Sequence, residues 1–317
     1  MREALQIIGF GAIAVDNIVY VDRPLSFGKG SIVDRVTAHG GNVATALVAA
    51  AKLGARTGFV GWLNSDTDAD SSALDLVANQ VDIRRAPLHP DAQPIRSTIT
   101  VGSDGDRFIA YDDDVMLGTS LDLSDDVLQQ AKVLLLDSYA ASSLPVVERA
   151  LHHGISVVGD IEWSHGAQTE RLVELCDHLV LPLESARQLT GVDDAQGVLS
   201  ALWSDRRVAV VLTDGSKGAF IRQSGDNQLW HLPAFDVNVL DTTGAGDAFH
   251  GGYAFGLLQQ RDPLWSARLA GATASLSVTG QGGRSALPDL AAVSSLMKTH
   301  DNTPHGTLIE GWGSSQC

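Results

Sequence analysis

Cysteine is nearly absent from this 317-residue chain, with Cys176 and Cys317 its only two. Two cysteines supply neither a disulfide framework nor a paired-cysteine zinc site. Positive charge is scarce as well: 22 Lys and Arg face 38 Asp and Glu, a formal net charge of −16. Nucleic acids and anionic membranes are bound by clustered basic residues, so this balance argues against both as partners. No stretch reaches the roughly 18 unbroken apolar residues of a membrane span. The opening "MREALQIIGFGAIAVD" has no long apolar run behind its charges, as a secretory leader would. Together these absences predict a cytoplasmic protein. There is no internal repeat, and no G-x-x-x-x-G-K-[ST], which excludes a P-loop enzyme.

What is present is an alternation. Short runs rich in Val, Ile and Leu, "LQIIGF" (5–10), "KVLLLD" (132–137), "GISVVGD" (154–160), "DHLVL" (177–181) and "VAVVLT" (208–213), read as buried strands. Between them lie helix patterns at 42–53, 68–79, 142–152, 168–175, 183–190, 195–203, 245–259 and 263–278. This is the pattern of an α/β fold whose parallel sheet is covered on both faces. Two regions break the rhythm: 12–36, and 96–112 with its Asp-Gly turn at 104–105. They predict a small antiparallel sheet beside the main one, placed as a lid. The domain reading is one unit over about 1–300 with these lid strands inserted, and a flexible tail at 301–317.

The chemistry concentrates in "DTTGAGDAFHGGY" (241–253). A helix N-terminus presents unpaired amides and partial positive charge, so small residues there let an anion approach. Gly244, Ala245 and Gly246 are such residues. Asp247 either complements the helix dipole or, beside a transferring phosphoryl group, takes the proton of an attacking hydroxyl. His250 is expected to be structural or solvent-facing. "GGN" (40–42) reads as a turn with Asn42 as helix cap, or as a ligand loop. "TDGSKGAF" (213–220) reads as a tight turn, or as a nucleotide-phosphate loop. Two lookalikes fail. "GFGAIA" (9–14) fits a dinucleotide fingerprint but is followed by a strand pattern where a helix is required. "DTDAD" (66–70) starts like a calcium loop but has Ser71 and Val77 where Gly and Glu are needed.

With these elements in order, "GGNVATALVAAAKLG" (40–54) and "DTTGAGDAFHGGYAFGL" (241–257) resemble the two signatures of the ribokinase-like, PfkB-type carbohydrate kinases. The resemblance implies a three-layer αβα sandwich with a mostly parallel central sheet and a β-sheet lid. It also implies ATP as donor, Mg²⁺, and phosphorylation of a sugar or nucleoside hydroxyl. By position, Asp247 resembles the catalytic base, and the amides of Gly244, Ala245, Gly246 and Asp247 an anion hole. Asp16, Gly40, Gly41 and Asn42 resemble the substrate-binding set, with Lys29 added for an anionic group. Thr213, Gly215, Ser216 and Gly218 resemble the ATP-phosphate loop, and Asp241 and Thr243 the contributors to a K⁺ site. The family's Asn-x-x-Glu motif is missing. Glu184 stands one position from its carboxylate as the Mg²⁺ candidate, with Asp160 or Glu162 acting through water as the alternative. "FGKG" (27–30) and "GGRSALPD" (282–289) resemble the sulfofructose kinase branch, yet Tyr139 and Tyr111 fall where sulfonate donors are expected. The reading is therefore a sugar kinase for a neutral ketose or pentose. Sulfofructose, a nucleoside, and a non-catalytic sugar-binding homologue stand as alternatives, and exposed lid edges suggest a homodimer.

Overall fold

The computed structural model describes residues 4–66, 71–162, 166–225, 228–299 and 306–308. At its centre six parallel strands run in the order β4 (Thr57–Phe59), β1 (Ile7–Phe10), β9 (Val133–Asp137), β10 (Ser156–Asp160), β11 (His178–Pro182), β12 (Ala209–Thr213). Three antiparallel strands, β13 (Ala219–Gln223), β14 (Leu229–Leu232) and β15 (Thr307–Leu308), extend the β12 edge. The last of these belongs to the segment 301–317 expected to be a flexible tail; apart from 306–308 that segment lies outside the described residues.

Successive residues of each central strand point to opposite faces, and both faces are apolar. Ile7, Val133, Leu135, Val158, Val180 and Val211 face one core. There α1 (Asn42–Lys52), α2 (Ser71–Ala78), α8 (Ala245–Leu258), α9 (Pro263–Ser277) and α10 (Leu290–Thr299) cover the sheet. Ile8, Leu134, Leu136, Val157, Leu179 and Leu212 face the other core. It is closed by α3 (Asp125–Leu128), α4 (Leu144–His152), α5 (Ala167–Leu175), α6 (Leu183–Thr190) and α7 (Ala195–Ala201). Each fully buried aliphatic side chain contributes about 1.5–3 kcal/mol, so these two layers hold the molecule together. The sequence patterns located eight of these ten helices and missed the short α3 and the late α10. Residues 67–70, the start assigned to the second helix and most of the calcium-loop lookalike, lie outside the described residues.

The second sheet has the order β3 (Ile32–Gly40), β2 (Ala14–Val21), β7 (Ile95–Val101), β8 (Arg107–Asp112). The hairpin at the Asp-Gly turn forms, with Gly105 at φ 80° and Arg107 opposite Val101. The expectation of a wholly antiparallel sheet is corrected, because β2 and β7 pair in parallel. Between them the chain runs through β3, α1, β4 and α2, and that long crossover is what parallel neighbours require. A two-stranded parallel pair, β5 (Leu63–Asn64) and β6 (Leu88–His89), completes the described strands.

Candidate active site

A cavity of about 270 Å³ opens where the small sheet overhangs the carboxyl ends of β1, β9 and β10. In an open α/β sheet this edge is where ligands bind. The cavity wall includes Asp16 and Ser97 from the lid, Gly40, Gly41 and Asn42 before and at the start of α1, and Thr243, Gly244, Gly246 and Asp247 at the start of α8. Thr45, Tyr111, Tyr139, Arg107 and Glu162 complete its polar lining among the described residues.

Gly244 caps α8 in the left-handed region, at φ 73°, with no side-chain cap. A Cβ there would press on the Gly283 backbone, so only glycine lets the two loops meet. The Ala245 amide donates to the Thr242 carbonyl at 3.3 Å, and the Ala248 amide to Gly244 at 2.9 Å. The amides of Gly246 and Asp247, between them, are those left for an anion. Nothing lies within 4 Å of where a Gly246 Cβ would be, so space exists in front of them. The buried Thr243 Oγ1 has no hydrogen-bond partner and sits in the same wall. Further along α8, Gly251 meets the backbone of α1, while Gly252 and Gly256 meet α9. The glycine richness thus serves helix-on-helix contact.

Asp247 is only partly exposed, and burial together with the nearby Asp160 carboxylate pushes its carboxyl up to about 7, against weaker pulls from His250 and Arg284. Asp160 and burial raise Glu162 in the same way. Asp16 is also raised, chiefly by burial; Ser97 Oγ donates to its Oδ1. Opposite it, Asn42 Nδ2 donates to Asp160 Oδ2 at 2.9 Å. The helix cap is Gly41, at φ 93°, and Asn42 is the first helical residue, so the reading of Asn42 as the cap is corrected. A side chain freed from capping is free to bridge the start of α1 and β10.

Asp137 and Arg284 were missed by sequence reasoning, whereas Asp160 was named there as a water-mediated Mg²⁺ candidate. Asp137 and Asp160 end neighbouring strands in register. Asp137 accepts from the amides of Ala12 at 2.7 Å and Tyr139 at 3.0 Å, which fixes both loops of the cavity floor. An aspartate ending each of two apolar runs was the available signal. Arg284 is buried. It pairs with Asp75, donates to the Gly40 carbonyl at 2.7 Å and to Thr45 Oγ1 at 3.0 Å, and so ties the 280s loop to α1. His250 is not solvent-facing: Nδ1 meets the Gly246 carbonyl at 2.8 Å and Nε2 that of Val180 at 3.0 Å.

Other expected residues fall elsewhere. Lys29 is exposed in the loop before β3 and is not part of the cavity wall. Glu184, in the first turn of α6, is 73% exposed and 3.6 Å from Arg187, which is its ion-pair partner. Both are long charged side chains at the surface, where pairing or hydration costs less than burial. Thr213, Gly215, Ser216 and Gly218 form the tight β12–β13 turn, closed by the Asp214 amide on the Gly218 carbonyl at 2.7 Å. That turn leaves the same carboxyl edge as Asp160, two strands along, or about 10 Å at the usual spacing. Asp241 is fully buried and its carboxylate accepts three hydrogen bonds: from Tyr20 Oη at 2.6 Å, the Gly282 amide at 2.8 Å and the Thr243 amide at 2.9 Å.

An αβα sandwich with a small sheet over a cavity at the start of a glycine-rich helix defines a kinase of the ribokinase-like fold. A family model, described as pfkB family carbohydrate kinase, matches residues 5–290. The ribokinase of Haemophilus influenzae is 27% identical over 306 residues, covering 91% of this chain and 96% of that protein. A fructokinase with bound ATP from Xylella fastidiosa superposes with a TM-score of 0.76 at 24% identity, over 93% of this chain and 99% of that one. An Escherichia coli structure of the ribokinase II type, in complex with ATP and Mg²⁺, gives a TM-score of 0.78 at 18% identity, over 93% and 100% of the two chains. The chain belongs to the PfkB family of carbohydrate kinases, and is an ATP-dependent sugar kinase.

Proposed function

We propose that this kinase transfers the γ-phosphoryl group of ATP to a hydroxyl, expected to be primary, of a small neutral sugar. The observation that carries this reading is the placement of Asp247 at the open N-terminus of α8, across one cavity from Asp16 and Asn42. Asp16 and Asn42 hold sugar hydroxyls, and Asp247 accepts the proton of the attacking one. The amides of Gly246 and Asp247, with Thr243 Oγ1, stabilise the charge on the transferring group; the Ala245 amide, counted in the expected anion hole, is engaged with the Thr242 carbonyl. The nucleotide lies along the carboxyl edge toward the Thr213–Gly218 turn.

Mg²⁺ would travel with the triphosphate, neutralising its β and γ oxygens and keeping most of its waters. No group of three or more His, Cys, Asp or Glu among the described residues is arranged to hold a metal ion. Asp160 Oδ1, buried without a hydrogen-bond partner, together with Glu162, fits a water-mediated role.

A neutral sugar follows from charge. Asp16, Glu162 and Asp247 line the cavity, and its one basic lining residue, Arg107, is engaged with Thr242. A sulfonate needs strong donors. No described helix is long and apolar enough to cross a membrane, which accords with a cytoplasmic site of action. The edge strands β3 and β8 are exposed and carry Val33 and Phe108, which supports pairing of two lids in a homodimer.

The test is a coupled ATP-turnover screen with Mg²⁺ over ketoses, aldopentoses, nucleosides and sulfofructose, with product masses checked. Turnover of a neutral ketose or pentose supports the reading. Sugar binding without turnover of any candidate refutes it in favour of a sensor, and preference for sulfofructose refutes the neutral-substrate part.

A further inference from the structure

Arg284 follows Gly283, whose backbone packs against the Gly244 cap of α8, yet its side chain serves the other half of the site. That side chain is 9% exposed and sends donors to three elements. Nε donates to Thr45 Oγ1 of α1 at 3.0 Å, Nη2 to the Gly40 carbonyl at the end of β3 at 2.7 Å, and Nη1 to Asp75 Oδ2 of α2. Gly40 and Thr45 line the cavity, whereas Arg284 is not part of its wall among the described residues. A Cβ on Gly40 would collide with the Asp16 carboxylate, so that carboxylate lies directly on the turn that Arg284 pins. A planar guanidinium reaches three acceptors in a fixed fork, which the compact ammonium of lysine does not reproduce.

The charge matters beside the fork. Around Asp247 stand the carboxyls of Asp160, Asp137, Glu162 and Asp16, and the basic side chains of His250 and Arg284. Burial and the carboxyls raise Asp247; Arg284 pulls it down, as it does Asp16. Of the two basic groups, the guanidinium is the one that keeps its charge at every working pH.

We propose that Arg284 is a positioning residue for phosphoryl transfer: its fork fixes the sugar-side turn at Gly40 and Thr45, and its charge stands behind Asp16 and Asp247 as a permanent counter-ion to both. It acts through these four residues. The proposal rests on the reading of Asp16 as a sugar ligand and Asp247 as the base.

Two variants of the full-length protein separate fork from charge. Arg284→Lys keeps the charge and loses the fork; Arg284→Gln loses the charge as well. With D-ribose or D-fructose, whichever turns over faster, both are expected to lose about tenfold in sugar kcat/KM, with the ATP KM within about twofold. Arg284→Gln alone is expected to move the acid limb of kcat/KM, upward by about one pH unit, because an opposite charge has left a buried carboxyl. A limb that Arg284→Gln leaves in place, or that Arg284→Lys moves equally, overturns the proposal, and so does a loss of stability in both variants with kcat/KM unchanged. The same shift is read without sugar from the melting gap between each protein and its Asp247→Asn counterpart, which should go on widening to about one pH unit higher in the Arg284→Gln pair than in the wild-type pair. An identical pH course in the two pairs overturns the proposal. If Arg284→Gln does not fold, Thr45→Val removes one contact of the fork and no charge: it is expected to lose about threefold in sugar kcat/KM with the limb unmoved, and an unchanged kcat/KM overturns the proposal. Failure of the base reading is separately visible, because Asp247→Asn would then retain turnover and the wild type would show no acid limb.

Discussion

Replacing Asp247 by asparagine keeps the side-chain shape and removes only its charge, so it separates what that charge does for catalysis from what it does to stability. The carboxyl stands at about 7 instead of 3.8, chiefly because it is buried. At ~1.36 kcal/mol for each tenfold in proton affinity, ionising it in the folded protein costs at most about 4 kcal/mol. Cavity water reaches the partly exposed group, so we expect about half of that ceiling. A carboxyl raised in this way favours the folded state fully only below about pH 4, and loses that contribution as pH climbs through about 7. The wild type without ligand is thus penalised at pH 8 and little affected at pH 4, whereas the Asp247→Asn protein carries no such pH dependence at this position. With an unfolding entropy of ~2.1 cal/mol/K per residue, 317 residues convert about 2 kcal/mol into about 3 °C. Asp247→Asn should therefore melt about 3 °C higher than the wild type at pH 8, with the gap closing towards pH 4. Its kcat should fall by about 10²–10⁴ while sugar and ATP still bind. Scanning calorimetry at the two pH values, beside steady-state kinetics, checks both halves. Near wild-type turnover would refute the base role, and a lower melting temperature at pH 8 would refute the burial argument.

The remaining predictions concern pH and packing. The acid limb of kcat/KM should fall near pH 7, because that parameter reports the free enzyme and the base must be ionised to act; a profile flat from pH 5 to 8 contradicts it. Arg284→Met should destabilise the protein by about 3–5 kcal/mol, since it strands Asp75 and the Gly40 carbonyl in a mostly buried pocket, and urea unfolding measures this. Gly251→Val should cost at least about 1–3 kcal/mol, because its side chain meets the α1 backbone at Ala46; an unchanged denaturation midpoint would show that the two helices part freely.

Much of this was legible along the chain because it depends on local pattern. Short apolar runs alternating with helix patterns dictate a doubly covered sheet wherever they occur, so five central strands and eight helices were located in advance. The reading of 244–247 as an anion-binding helix start was equally local, since a glycine-rich helix start has the same amides in any fold. Partnership across the chain was not local. Nothing near Asn42 announces that it leaves the cap to Gly41 and reaches Asp160, 118 positions away. Nothing near Arg284 points to Asp75, nor near Tyr20 to Asp241, and nothing near Lys29 or Glu184 says that both stay in solvent. The layers, the open glycine-rich helix start and the kinase family were written into the chain, because periodicity and glycine spacing act within a few residues. Which charges share the cavity, and which lid hydroxyl reaches Asp241, emerged with the folded arrangement, because electrostatic and hydrogen-bonding partners are set by distance in space.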